Sequence, residues 1–132
     1  MAKTQKALKA STVRNAVDQF TDVVIRALQE KKGHDITCLD LREIKSAVSD
    51  VFIICHGDSQ TQVEALASSV EEIVFKEKKE WPLHSEGFEN AQWILLDYFN
   101  VVVHIFQKEQ RDYYGIERFW ADAQTRQIKD IY

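Results

Sequence analysis

Gly57-Asp58-Ser59 falls between an apolar run and a helix-like pattern, where phosphate-binding turns occur. One glycine matches neither glycine-rich phosphate fingerprint, and no lysine follows where a P-loop needs one. Ser59 and Gln62 instead have the spacing of a capping box. In that motif the hydroxyl accepts a backbone N–H and the amide reaches back. Gly57 is expected to permit the tight turn before it. His34, His56, His84 and His104 stand singly, none paired with another His or Cys at metal-ligand spacing. Cys55 and His56 are adjacent, so a strand points them to opposite faces. A Cys-His nucleophile would need neighbours brought together by the fold. No metal and no cofactor is expected.

The segment 93–106 offers binding chemistry instead. As an antiparallel hairpin it puts Trp93, Leu95 and Asp97 on one face and Ile94, Leu96 and Tyr98 on the other. In the return strand Val102, His104 and Phe106 alternate with Val101, Val103 and Ile105. One face should be aliphatic and buried, the other a mixture of large aromatics and polar groups, as a recognition surface is. Trp93 could equally be a core residue, because tryptophan is highly buried on average. Arg111, Tyr114, Glu117 and Trp120 recur every three residues on a last helix expected from Glu109 to about Asp122. Arg111 is expected to tie that helix to the acidic hairpin.

The elements that must position these residues follow from periodicity. Val13, Val17, Phe20, Val24 and Leu28 mark a helix beginning near Ser11 or Thr12 and ending before Gly33. A strand is read at Ile36–Leu41 and another, buried on both faces, at Val51–Cys55. Val63, Leu66, Val70, Ile73 and Val74 mark a second helix, and a short strand is allowed near His84. The order α-β-β-α-β-β-α predicts an α/β fold, a mixed sheet with helices packed on it. A single domain is expected, with a flexible basic segment at 1–12, the folded body at 13–122 and a tail at 123–132.

The 132 residues are 45% hydrophobic and 29% charged, as in an ordinary globular protein. No apolar run is long enough to span a membrane and no secretory signal is seen, so a cytoplasmic protein is expected. Buried free thiols at Cys38 and Cys55 fit a reducing compartment. Residues 1–11 carry a net +3, whereas residues 86–122 carry seven acids against three bases, and the whole chain is at −4. Nucleic-acid binders show the reverse balance, so direct specific binding to nucleic acid is not expected. An acidic surface suits a basic protein partner, or is a solvated face.

Taken together, the stretches 50–59, Glu86-Gly87, 91–97, 101–106 and 111–120 resemble the ribosomal silencing factor (Iojap) family. The series Trp93, Asp97, His104, Arg111, Tyr114, Glu117, Trp120 carries most of the likeness. The chain departs from the family pattern at the hairpin turn, where Phe99-Asn100 replaces Gly-Asp, and at His56, Ile116 and Phe119. The resemblance implies a fold similar to the nucleotidyltransferase superfamily, used without its chemistry. It implies binding to the fourteenth protein of the large ribosomal subunit, on the face that meets the small subunit. Subunit joining would thereby be blocked and translation lowered when nutrients are scarce. The partner-binding candidates are Glu86, Trp93, Asp97, Tyr98, His104, Arg111 and Tyr114, and a homodimer of the free protein is left open. Catalysis is not expected. A metal-dependent nucleotidyltransferase needs two acids alternating on a strand soon after its Gly-Ser. Here only Glu64, Glu71 and Glu72 follow, all within the predicted helix. A nucleotidyltransferase-like enzyme and an RNA-binding module using the lysines at 3, 6, 9 and 76–79 are the alternative readings.

Overall fold

The chain runs α1 (Ala2–Glu30), β1 (His34–Asp40), β2 (Val51–Gly57), α2 (Gln60–Lys78), β3 (His84–Glu86), β4 (Trp93–Asp97), β5 (Val101–Gln107), α3 (Lys108–Tyr114), α4 (Ile116–Phe119) and β6 (Gln124–Gln127). This computed structural model describes the backbone of residues 2–132 and the side chains of residues 13–132. The strands form one six-stranded sheet in the order β3-β4-β5-β2-β1-β6. Its central pair, β2 and β5, is parallel, and the other neighbours are antiparallel. Val51–Cys55 and Val101–Val103 are rich in β-branched side chains, which suit a pleated surface packed on both sides. Both strands are buried throughout, except at Gln107.

One sheet face is covered by α1 and α2. Val17, Phe20, Val24 and Leu28 of α1 and Val63, Leu66, Val70 and Val74 of α2 pack there against Ile53, Cys55, Ile94, Leu96, Val103 and Ile105. Ser69 Oγ donates to Ala27 O at 2.8 Å, binding the two helices together. On the opposite face Leu39, Leu41, Phe52, Ile54, Val102 and Phe106 meet Ile44 and Ala47 of the 41–50 loop and Ile116 and Trp120 of the C-terminal segment. The hairpin faces divide as the alternation requires.

Several expectations need correction. α1 starts at Ala2, not near Ser11 or Thr12, because Ala2 to Ala10 holds good helix formers and no breaker. The side chains of the basic segment at 1–12 lie outside the described residues. The last helix is not continuous to Asp122. It breaks at Gly115, at φ +54°, and restarts as α4. On an unbroken helix Arg111 and Glu117 would lie about 9 Å apart along the axis. The break lets Glu117 return to the guanidinium, with contacts of 2.8 and 3.2 Å. The tail joins the sheet, since β6 pairs with β1 and Ile128 N–H donates to Ile36 O at 2.8 Å.

At the start of α2, Ser59 Oγ accepts Gln62 N–H at 3.1 Å, as a capping box requires. The Gln62 amide reaches Asp58 N–H at 2.7 Å rather than that of Ser59, and also donates to Lys31 O and Lys32 O. Gly57 has no positive φ. It lies close to Gln62, whose side chain a Cβ there would meet at 3.2 Å.

The loop between β4 and β5 is Phe99-Asn100, closed by Tyr98 N–H donating to Val101 O at 2.9 Å. Of the two, Phe99 has positive φ, +76°, and Asn100 N–H donates across it to Tyr98 O at 3.1 Å, the hydrogen bond of a strained γ-turn in a region where glycine is usual. A bulky residue there costs about 1–3 kcal/mol. Phe99 N–H donates to Asp97 Oδ1 at 2.8 Å, and Ser49 Oγ donates to Phe99 O at 3.0 Å. Asp50 and Val51 N–H both donate to Asn100 O, at 3.1 and 3.0 Å.

Gly87 sets the register between β3 and β4. Its φ is +93°, and a Cβ would lie 1.9 Å from Trp93 O. Gly87→Ala should therefore lower stability by about 2 kcal/mol or more, read as a reduced urea midpoint. An unchanged midpoint would show that the 87–93 connection can move aside at no cost.

Candidate partner-binding face

β4 alternates half-buried with buried residues, and its half-buried set is Trp93, Leu95 and Asp97. They sit over Phe106, His104 and Val102 of β5, their cross-strand partners. The short α3 and α4 shield the centre of this sheet face but leave the β4 side partly open, and the strip of Trp93, Leu95 and Asp97 forms there. Neighbouring β3 brings Glu86 opposite Leu95 and His84 opposite Asp97. Both are exposed and linked by a 2.6 Å contact.

Trp93 is held on several sides. Its indole stacks on Phe106, with centroids 4.9 Å apart, and meets Tyr114 at 4.8 Å. Its Nε1–H donates to His104 Nδ1 at 3.2 Å. His104 is 4% exposed and also meets Phe52 edge-on at 4.6 Å. Burial holds its imidazole neutral, with a pKa pushed down to about 4. Accepting at Nδ1 places the ring proton on Nε2, which has no partner among the described residues. The tryptophan is thus partly buried, packed against the cluster of Phe52 and Phe106 and oriented by its neighbours.

The other candidates divide. Tyr114 is 52% exposed beside Trp93 and belongs to the face. Asp97 uses Oδ1 on Phe99 N–H. Tyr98 lies on the opposite, helix-covered face, buried edge-to-face against Phe20 with centroids 5.0 Å apart, so it presents no surface there. Arg111 is buried and does not tie its helix to the hairpin. Besides Glu117 it donates to Thr37 Oγ1 at 3.1 Å, to His34 O at 3.3 Å and to His56 Nδ1 at 3.0 Å. It therefore fixes α3, and with it Tyr114, to β1 and β2. Thr37, His56 and Glu117 were missing from the sequence candidates. The glycine between Arg111 and Glu117 was the one signal that those two could meet.

Asp58 N–H and Ser59 Oγ are both engaged with Gln62. Glu64, Glu71 and Glu72 all lie on α2. No cluster of three His, Cys, Asp or Glu suited to a metal occurs among the described residues. Cys38 and Cys55 are buried free thiols, and burial pushes Cys55 up to about 12. No helix among the described residues is long and apolar enough to cross a membrane.

Residues 14–132 match the family model described as ribosomal silencing factor during starvation. Ribosomal silencing factor RsfS of Bacillus subtilis is 41% identical over 105 residues, covering 76% of this chain and 84% of the relative. That of Halalkalibacterium halodurans is 34% identical over 113 residues, covering 86% and 95%. A crystal structure of a Chromobacterium violaceum protein superposes with a TM-score of 0.75 at 37% identity, covering 80% of this chain and 86% of that one.

The two buried histidines give a pH prediction. His104 titrates lower in the folded protein than its ordinary 6.5 because burial disfavours the cation. His56 is lowered by burial first and by the Arg111 charge second. The unfolded chain then binds protons more readily, so stability is complete above about pH 6.5 and falls as pH drops towards 4. For His104 alone the loss at pH 5 is about 2 kcal/mol. Urea unfolding at pH 7.5 and pH 5 should show it, and His104→Phe should reduce the difference. An unaltered pH slope in that variant contradicts the assignment.

Proposed function

The chain belongs to the ribosomal silencing factor family, and we propose that it silences by binding the large ribosomal subunit through its fourteenth protein. On this reading it occupies the face that meets the small subunit, prevents joining, and lowers translation in the cytoplasm when nutrients are scarce. It works by occupancy and needs neither catalysis nor a cofactor. The observation that supports this best is Trp93, half-buried on a strip it shares with the half-buried Leu95 and Asp97, and oriented by His104, Phe106 and Tyr114. A rigid aromatic in that setting forms a contact with little further loss of side-chain freedom. Glu86 lies opposite Leu95 and Asp97 ends the same strand, an acidic margin that suits a basic protein. The nucleotidyltransferase alternative lacks a strand-borne carboxylate pair after Ser59, and the net charge of −4 speaks against the RNA-binding one.

Trp93→Ala should weaken co-sedimentation with isolated large subunits about thirtyfold or more and restore subunit joining. Thermal unfolding of the same variant should show a folded protein. A folded Trp93→Ala protein with normal binding sinks the docking assignment.

Electrostatics gives a second expectation. Binding should weaken as salt rises from low to moderate concentration, and Glu86→Lys with Asp97→Lys should slow association more than it changes stability. Affinity indifferent to both salt and charge reversal would remove the acidic rim from the reading.

A further inference from the structure

Phe99 is an aromatic at a backbone position that favours glycine, and burial does not explain it. Its φ is +76° and the residue is 68% exposed. Its position is nevertheless fixed, because its N–H donates to Asp97 Oδ1 and its carbonyl accepts from Ser49 Oγ. Val48, on the adjoining loop, is 89% exposed, and a groove of about 350 Å³ runs between that loop and the turn. Strain held in place by surrounding contacts, around a side chain that faces water, is the pattern of a functional position.

Charge indicates what meets it. The Asp97 carboxylate accepts the Phe99 N–H, Asp50 lines the groove beside the turn, and Glu80 shares a second groove with Asn100. Of the basic groups lining the first groove, Arg42 is engaged by Asp40 and Asp18, which leaves Lys45 as the counterweight. An exposed ring in an acidic setting suits a cation, because the ring face attracts positive charge. Phe99 also lies just past the end of β4, and Trp93 to Asp97 spans only about 14 Å of strand, well inside one ordinary interface.

We propose that Phe99 is a second anchor of the partner-binding face, taking a lysine or arginine side chain of the basic protein that docks on Trp93. This rests on the docking reading given above. The test uses the full chain and isolated large subunits, with Phe99→Gly, Phe99→Leu and Trp93→Ala compared in parallel. Phe99→Gly relieves the backbone and removes the ring, so its Tm should rise by about 3 °C while affinity falls about tenfold. Phe99→Leu keeps an apolar side chain without the π face, so its Tm should stay near the parent while affinity falls as well. A fall in both Tm and affinity for Phe99→Gly would make the ring structural and overturn the proposal. Normal binding by both Phe99 variants while Trp93→Ala fails would overturn it and leave the docking face standing. Normal binding by all three would overturn the docking reading itself.

Discussion

β2 and β5 run parallel at the middle of the sheet with Val51–Gly57 and Val101–Phe106 buried on both sides, and the remaining architecture answers to that constraint. Strands without a solvated face must be covered twice. The first cover is conventional, two amphipathic helices whose aliphatic stripes meet Ile53, Cys55, Val103 and Ile105. The second is assembled from short pieces: the 41–50 loop, α3, α4 and Trp120. Such pieces bring little apolar surface of their own. Arg111 compensates by reaching His56, Thr37, His34 O and Glu117 from one buried guanidinium. A buried cation is tolerable only when its donors are satisfied, and its removal would leave Glu117 without its partner.

Because this second cover is small, β4 keeps one face half open. Trp93 owes its exposure to that shortage and its orientation to the strands beneath. His104 is the link between the two, since a neutral imidazole with a free Nδ1 is needed to receive the indole N–H. Burial beneath Trp93 and beside Phe52 is what holds it neutral, so packing of the core and order of the surface are one property here. The same economy explains why the tail enters the sheet. Without β6, the edge of β1 would present unpaired backbone groups beside Cys38 and Leu39.

Much of this was legible in the sequence. Period-two alternation in 93–97 and 101–106 separated the buried aliphatic face from the aromatic one, and spacing of three or four residues located both long helices, though not the start of α1. Contacts that depend on non-helical geometry were hidden. Arg111 and Glu117 meet across a glycine break, and spacing rules for a continuous helix place them apart. Tyr98 was assigned to the right strand face but counted among binding residues, although its ring is covered by Phe20 of a helix far away in sequence. The strand at Gln124–Gln127 is polar and exposed along its whole length, so no hydrophobic pattern announces it. Gln62 reads as a cap, and its second task at Lys31 and Lys32 is visible only in three dimensions.

The central claim is that the open strip around Trp93 is where the large subunit sits. Hydroxyl-radical footprinting of the intact protein, free and bound to isolated large subunits, reads it directly, because Trp81 supplies an internal control at 53% exposure. Trp81 stacks on Phe75 of α2, the helix that covers the other face of the sheet. Oxidation of Trp93 and Tyr114 should fall sharply on binding while that of Trp81 stays at its free value. Protection of Trp81 with Trp93 unchanged would place the ribosome on the wrong side of the molecule for this account and contradict it.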